Sequence, residues 1–225
     1  MRGQEEGRGG LAENREHVTE KFHKLYYDVG DLHAGTWRDV HWFGVPIRKL
    51  PLDLWIFQEI IYESRPDLII ESGTFRGGSA LYFASLLDIL GNGTIVTIDI
   101  EACDERRAHP RIIYLTGSSL DPAVVDHVHH LASTADSTMV VLDSEHSADH
   151  VLVELDCYAS LVSPGQYLVV EDTNVNGNPV AGDFGPGPRE ALEKWLPDHP
   201  EFAVDYSREK LLFTFNPGGW LRRVQ

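Results

Sequence analysis

The chain has 225 residues, enough for one large domain with a substantial core. Its 19 basic and 35 acidic residues give a formal charge of −16, which repels a nucleic-acid backbone and an anionic membrane surface and excludes both as partners. Cys103 and Cys157 are too few for a disulfide scaffold, no apolar run approaches spanning length, and the start MRGQEEGRGG lacks a signal-type apolar region; a cytoplasmic, unexported protein is expected.

By composition the first 13 residues are expected to be disordered. Residues 14–27, NREHVTEKFHKLYY, place Val18, Phe22, Leu25 and Tyr26 at helical spacing. An aperiodic loop rich in Gly and Trp follows. LPLDLWIFQEIIYESRP then opens on a proline suited to a first helical turn and stops before another, bounding a second helix.

After Pro66 the pattern changes. DLIIES, GTIVTID, RIIYLTG, STMVVLD and GQYLVVED are short and β-branched, and they alternate with segments of helical period such as GSALYFASLLDIL and SADHVLVELDCYASL. Such alternation predicts right-handed βαβ units and an α/β, doubly wound, mostly parallel sheet. EFAVDY and KLLFTF, after one more helix, are expected to pair as an antiparallel hairpin at one edge. No repeat and no linker divides the chain.

In such a sheet the chemistry belongs at the carboxyl ends of the strands. Glu71, Asp99, Gly117-Ser118-Ser119, Asp143 and Glu171-Asp172 all fall there. The turn ESGTFRGGS, residues 71–79, has the wrong glycine spacing for the dinucleotide fingerprint and carries its acid before the first glycine. A carboxylate there can accept from a cationic amino group, and Asp99, 21 residues past Gly78, is placed to hold ribose hydroxyls. A nucleoside with a positively charged tail fits both. The candidate set for it is Glu71, Gly73, Thr74, Gly77, Ser79, Asp99, Ser118, Ser119 and Asp143; the plain alternative is a tight turn with a solvated acid.

Asp143 and Glu171-Asp172 end adjacent strands, so three carboxylates would crowd one spot and demand a cation. Oxygen ligands suit a hard ion, Mg²⁺ first, although strand-end acids also cap helices. His146, three residues past Asp143, can turn into the same cleft as a proton acceptor, with a further metal ligand as the rival role. Trp37, Trp42, Phe43 and Trp55, with the Gly/Pro-rich segment 173–188, could wall the cleft, the long segment serving as a lid.

The order E-x-G-x-F-x-G-G-S, strand-end Asp, G-S-S, L-D-S-E-H and V-V-E-D resembles the metal-dependent catechol O-methyltransferase group. More narrowly, WFGVPIRKLPLDLWIFQEII, LDSEH, VVEDTNVNG and REKLLFTFNPGGWLRR resemble the cephalosporin hydroxylase family, akin to rhamnosyl O-methyltransferases of natural-product pathways. The resemblance spans nearly everything after residue 14. It implies a class I methyltransferase fold, Rossmann-like, with an antiparallel last strand and a single domain over 14–225 whose N-terminal helical cap covers 14–65. It further implies S-adenosylmethionine around Glu71, Gly73, Asp99 and Ser119, and Mg²⁺ on Asp143, Glu171 and Asp172. His146 stands where the catechol enzymes carry a lysine base.

The function so implied is O-methylation of a hydroxyl on a small-molecule acceptor, a sugar or glycoside of antibiotic biosynthesis first, with a cephem or phenolic hydroxyl as the alternative, by a homo-oligomer. An NAD-dependent oxidoreductase is disfavoured by the glycine spacing, and an iron hydroxylase by the lack of a two-histidine triad at plausible spacing. A non-catalytic nucleoside binder would have no need of a poised base.

Overall fold

A computed structural model describes the backbone of residues 2–33 and 35–225 and the side chains of 14–29 and 35–225. Helix α1 (Arg2–His33) leads into a short hairpin, β1 (His41–Trp42) with β2 (Val45–Pro46), and then helix α2 (Pro51–Ser64). The disorder expected for residues 1–13 falls outside the residues described in full. Pro51 occupies the first turn of α2, and Arg65 ends the helix in a left-handed conformation immediately before Pro66.

The five apolar runs are strands, as their β-branched composition predicts. They are β3 (Leu68–Ser72), β4 (Thr94–Asp99), β5 (Ile112–Thr116), β6 (Thr138–Leu142) and β7 (Tyr167–Val170). Between and after them lie α3 (Gly78–Leu90), α4 (Pro122–Ala132), α5 (Ala148–Tyr158) and α6 (Pro188–Trp195), and the chain closes with β8 (Phe202–Val204) and β9 (Trp220–Arg223). The sheet order is β5-β4-β3-β6-β7-β9-β8; the first five strands are mutually parallel, and β9 runs antiparallel to both neighbours. In β3, β6 and β7 every residue is buried, the pattern of strands covered on both faces.

One apolar layer joins the sheet to α4, α5 and α6 through Val128, Val151, Leu155 and Trp195; the opposite layer joins it to α2 and α3 through Phe57, Ile60 and Phe83. Each such fully buried side chain contributes about 1.5–3 kcal/mol relative to exposure. A smaller cluster of Leu50, Phe213 and Phe215 takes Tyr26 and Tyr27 of α1 against its surface. Among the described residues no helix is long and apolar enough to cross a membrane.

One expectation is corrected. The partner of β8 is Trp220–Arg223, not KLLFTF. Residues 211–216 leave the sheet because Phe213 and Phe215 pack around His23 and Tyr26 of α1, and because the Phe215 amide is bound at 2.9 Å by the buried carboxylate of Asp53. Trp220, fully buried against Phe57, takes the sheet position instead.

Candidate active site

The parallel strands end on one rim, and above it opens a cleft of about 1080 Å³. The glycine-rich turn between β3 and α3 forms its floor. Gly73, at φ +90°, lies where a Cβ would sit 1.8 Å from the Asp143 carbonyl oxygen, so only glycine lets the end of β3 pass the end of β6. Gly78 makes the same kind of approach to the Pro46 carbonyl, 2.2 Å from its Cβ position. These glycines serve contact between chain segments before any ligand is considered.

Of the residues expected around a nucleoside, Gly73, Thr74, Ser79, Asp99, Ser118, Ser119 and Asp143 line the cleft, whereas Glu71 and Gly77 do not. Asp99 holds the loop around it: its Oδ2 accepts from the Phe75 amide at 2.7 Å and faces Arg106 Nη2 at 3.2 Å, and its Oδ1 accepts from the Glu101 amide at 2.9 Å. A carboxylate offers about four acceptor positions, which leaves roughly one for a ribose hydroxyl.

Glu71 is fully buried behind the turn. Thr97 Oγ1 donates to its Oε2 at 2.6 Å, the Ser79 hydroxyl is a second partner, and Oε1 has no hydrogen-bond partner. Burial pushes its carboxyl up to about 7, against the pull of Lys49 and of the two hydroxyls. On the far wall Ser119 Oγ lies 3.3 Å from His150 Nε2. That ring also meets Ser144 Oγ at 3.1 Å, Glu145 at 3.2 Å and the buried Glu154 at 3.5 Å, a polar network sequence reading did not anticipate.

At the junction of β6 and β7 the expected acids and the histidine converge. His146 Nε2 lies 3.3 Å from Asp143 Oδ1, and its Nδ1 lies 3.4 Å from Asp172 Oδ2. One donor atom from each of the three lies within 4.8 Å of the others, a spacing that could hold a metal ion. Burial alone would lower the imidazole's pKa, but the Asp172, Asp143 and Glu171 carboxylates override it and raise the ring to about 9. Asp172 takes a left-handed backbone, φ +55°, with its amide bound to Asn216 Oδ1 at 3.0 Å. Strained backbone of this kind persists where surrounding contacts over-determine it. Burial and the neighbouring Asp143 charge push the Asp172 carboxyl up, against His146 and Lys49.

Glu171, the third expected ligand, is not among these three. Its Oε1 accepts from Lys49 Nζ at 2.5 Å, and the same ammonium donates to Asp143 Oδ2 at 2.6 Å. Lys49 was not singled out in the sequence. The available signal was a lone lysine in the apolar run VPIRKLPLDLW, where a charge can be buried only if something pairs with it.

Among the four aromatic residues expected as a wall, only Trp37 lines the cleft, where it joins Tyr27. The two rings stack at 5.1 Å, and Trp37 Nε1 donates to the Tyr27 carbonyl at 3.2 Å. Trp42 instead packs edge-on against Tyr82, and Phe43 and Trp55 are exposed. Segment 173–188 is built into the protein: Thr173, Asn174, Val175 and Val180 are buried, and Glu190 of α6 binds both the Gly187 amide and Asn176 Nδ2.

The family pattern described as rhamnosyl O-methyltransferase/CmcI matches residues 34–224. The chain belongs to this family. It is 40% identical over 213 residues to the rhamnosyl O-methyltransferase of Mycobacterium tuberculosis, covering 92% of this chain and 85% of that one. To the Mycobacterium leprae rhamnosyl O-methyltransferase it is 36% identical over 212 residues, covering 92% and 90%. Among solved structures, the CmcI D160 form with Mg and SAM superposes with a TM-score of 0.62 at 19% identity, over 83% of this chain and 77% of that one. The family fold is the class I methyltransferase sheet with its antiparallel last strand, as the order around β9 requires.

Proposed function

We propose that this member of the family is an S-adenosylmethionine- and Mg²⁺-dependent O-methyltransferase whose acceptor is a sugar hydroxyl, a rhamnosyl unit of a glycoside in the first instance. The observation that carries this reading is the meeting of Asp143, His146 and Asp172 in the cleft that Gly73, Asp99 and Ser119 also line. The donor set fits a hard cation: two carboxylates on adjacent strand ends, partly buried and mutually repelling. The cleft fits a nucleoside: a backbone turn, a strand-end acid with an acceptor position to spare, and two serine hydroxyls. Glu71 Oε1, the buried oxygen without a partner, lies behind that turn and outside the cleft lining.

When bound, S-adenosylmethionine supplies the methyl group and Mg²⁺ lowers the pKa of the accepting hydroxyl. The chain's part is to hold and orient. Asp143 and Asp172 offer the ion their oxygens, while Asp99, Ser118 and Ser119 fix the nucleoside against the turn. His146 stands beside both carboxylates as the group that takes the hydroxyl proton. Those carboxylates are what raise its ring, so a cation held on them would relieve that rise and leave a ring nitrogen to accept. Tyr27 and Trp37 present an aromatic edge to the apolar side of a sugar.

Both cysteines are free thiols, which suits a reducing cytoplasm. Val18, Phe22 and Leu25 on α1, with Trp55 and Tyr62 on α2, expose apolar surface that a homo-oligomer would cover, and light scattering tests that state. The cofactor half of the reading is tested by titrating the protein with S-adenosylmethionine in a calorimeter, in Mg²⁺ and in chelator. Saturable binding supports it. No heat in either buffer contradicts it.

A further inference from the structure

Helix α5 carries a polar stripe into the core. His150, Glu154 and Tyr158 recur at four-residue spacing and so share one face of the helix, and Glu154 and Tyr158 are fully buried. A buried carboxylate is costly unless something pairs with it. Glu154 Oε1 accepts from Ser144 Oγ at 2.7 Å and lies 3.5 Å from His150 Nε2, while its Oε2 has no hydrogen-bond partner. No step of the chemistry proposed above uses this group.

Its use follows from where the hydrogens go. Ser144 has one hydroxyl hydrogen, and Glu154 takes it. His150 Nε2 thus faces two oxygens with no hydrogen to give it, Ser144 Oγ at 3.1 Å and Glu154 Oε1 at 3.5 Å, so this nitrogen carries a hydrogen of its own. Nδ1, 3.2 Å from Glu145 Oε2, carries another. The hydrogen bond with Glu154 raises the ring's pKa against the effect of burial, and the Glu154 and Glu145 charges add to the rise. The remaining oxygen on Nε2 is Ser119 Oγ, at 3.3 Å. Toward a protonated nitrogen that oxygen can only accept, which leaves the Ser119 hydrogen free on the wall of the cleft that Ser119 lines. Tyr158 fixes the same residue from behind, donating to the Ser119 carbonyl at 2.5 Å.

What this hydrogen meets is set by Asp99. The Gly117 amide, two residues before Ser119, donates to the Asp99 carbonyl at 2.8 Å, so the loop carrying Ser119 is tied to the strand end read as the ribose site. Next to the ribose of a nucleoside is its base, and the ring nitrogens of adenine accept hydrogen bonds. We propose that His150 is a positioning residue: its ring occupies the Ser119 oxygen and so turns the Ser119 hydroxyl into the cleft as a donor to a ring nitrogen of the cofactor's adenine. The inference rests on the reading of the cleft as an S-adenosylmethionine site.

The test is a calorimetric titration of the full chain with S-adenosylhomocysteine, which carries the same adenosine without the methyl group. Wild type is compared with Ser119→Ala, His150→Phe, the two combined, and His150→Gln, which keeps an N–H donor; circular dichroism verifies each fold. Ser119→Ala is expected to weaken binding by roughly fivefold to tenfold, the loss of one hydrogen bond, and His150→Phe by a similar factor. The double variant is expected to bind no more weakly than either single one, since both remove the same donor, whereas His150→Gln is expected within about twofold of wild type. Undiminished binding by Ser119→Ala or by folded His150→Phe overturns the proposal. Losses that multiply in the double variant, the mark of two unrelated contacts, overturn it as well. Should His150→Phe not fold, a His150→Gln loss as large as that of Ser119→Ala overturns it equally. Wild type that binds no S-adenosylhomocysteine would overturn the cofactor reading and the inference with it, whereas wild-type binding that the single variants match removes only the role of His150.

Discussion

Gly73 and Asp143 meet backbone to backbone: a Cβ on Gly73 would lie 1.8 Å from the Asp143 carbonyl oxygen, and Gly73 holds φ +90°. The proposed nucleoside side of the cleft and the proposed metal side are thus in direct contact, with no side chain between Gly73 and Asp143. Gly73→Ala must move one strand end or the other. The expected cost is about 3 kcal/mol or more from overpacking and backbone strain, which for a chain of this size lowers Tm by roughly 6–12 °C. A melting curve within 2 °C of wild type, on the order of the effect of well under 1 kcal/mol, would show that the two segments can part freely.

His146 lies between Asp143 and Asp172 and holds neither the turn nor a strand. His146→Ala should lower kcat by roughly 10²–10⁴-fold, the range of a lost general base, and leave S-adenosylmethionine affinity unchanged. Turnover equal to wild type removes His146 from the mechanism. Lost Mg²⁺ affinity with turnover restored at high Mg²⁺ would make it a ligand instead.

Asp172 occupies left-handed backbone that asparagine also tolerates, so Asp172→Asn should fold normally. It removes one charge from the cluster. Metal affinity should fall, and the Mg²⁺ concentration for half-maximal activity should rise by more than about tenfold, since a hard cation is held mainly by charged oxygen. A variant with unaltered Mg²⁺ dependence and full activity in chelator would remove Asp172 from the metal site.

Asp53 gives a signed pH dependence. It is buried, its Oδ1 has no partner, and burial raises its pKa from 3.8 to about 7, against the hydrogen bonds from Thr214 and the Phe215 amide. A raised acid binds more protons in the folded state than in the unfolded one, so its stabilisation is complete below about pH 4 and is lost as pH rises toward 7. Asp53→Asn should flatten the fall in Tm over that window. An identical slope in the variant would place the titration elsewhere.

His23 acts with the opposite sign. Asn174 Nδ2 donates to its Nε2 at 2.9 Å, and burial lowers the ring to about 4. A lowered histidine stabilises fully above about pH 6.5 and loses that contribution as pH falls toward 4. Protonation would also remove the acceptor that ties α1 to segment 173–188. His23→Gln should therefore blunt acid unfolding between those values, which thermal melts across the range would reveal.

The sheet and the rim were legible because both are written locally. β-branched runs ending in Asp99, Asp143 and Asp172 state where strands stop, and strand adjacency then brings Asp143 and Asp172 together. Lys49 was not legible, since its partners lie 94 and 122 residues away and no local pattern links an N-terminal lysine to two strand ends. The sequence reading placed a cation among these carboxylates, and a side chain as part of the answer was not considered. The last strand was misplaced for a related reason: KLLFTF reads as a strand in isolation, and only the aromatic cluster beneath α1 shows why Phe213 and Phe215 are taken elsewhere. Glu71 reads in the sequence as an acceptor for a cationic amino group, and its depth behind the glycine turn follows from close approaches that sequence spacing does not reveal.

The most direct test is methyl transfer itself. The purified protein is incubated with methyl-labelled S-adenosylmethionine and a rhamnosyl glycoside, in Mg²⁺ and in excess chelator, and the product is read by mass spectrometry. The account predicts one labelled methyl group on a sugar oxygen, formed in Mg²⁺ and abolished by chelator. Product formed equally in chelator would contradict the metal's part, and no transfer to any hydroxylated glycoside, despite bound cofactor, would contradict the proposed acceptor.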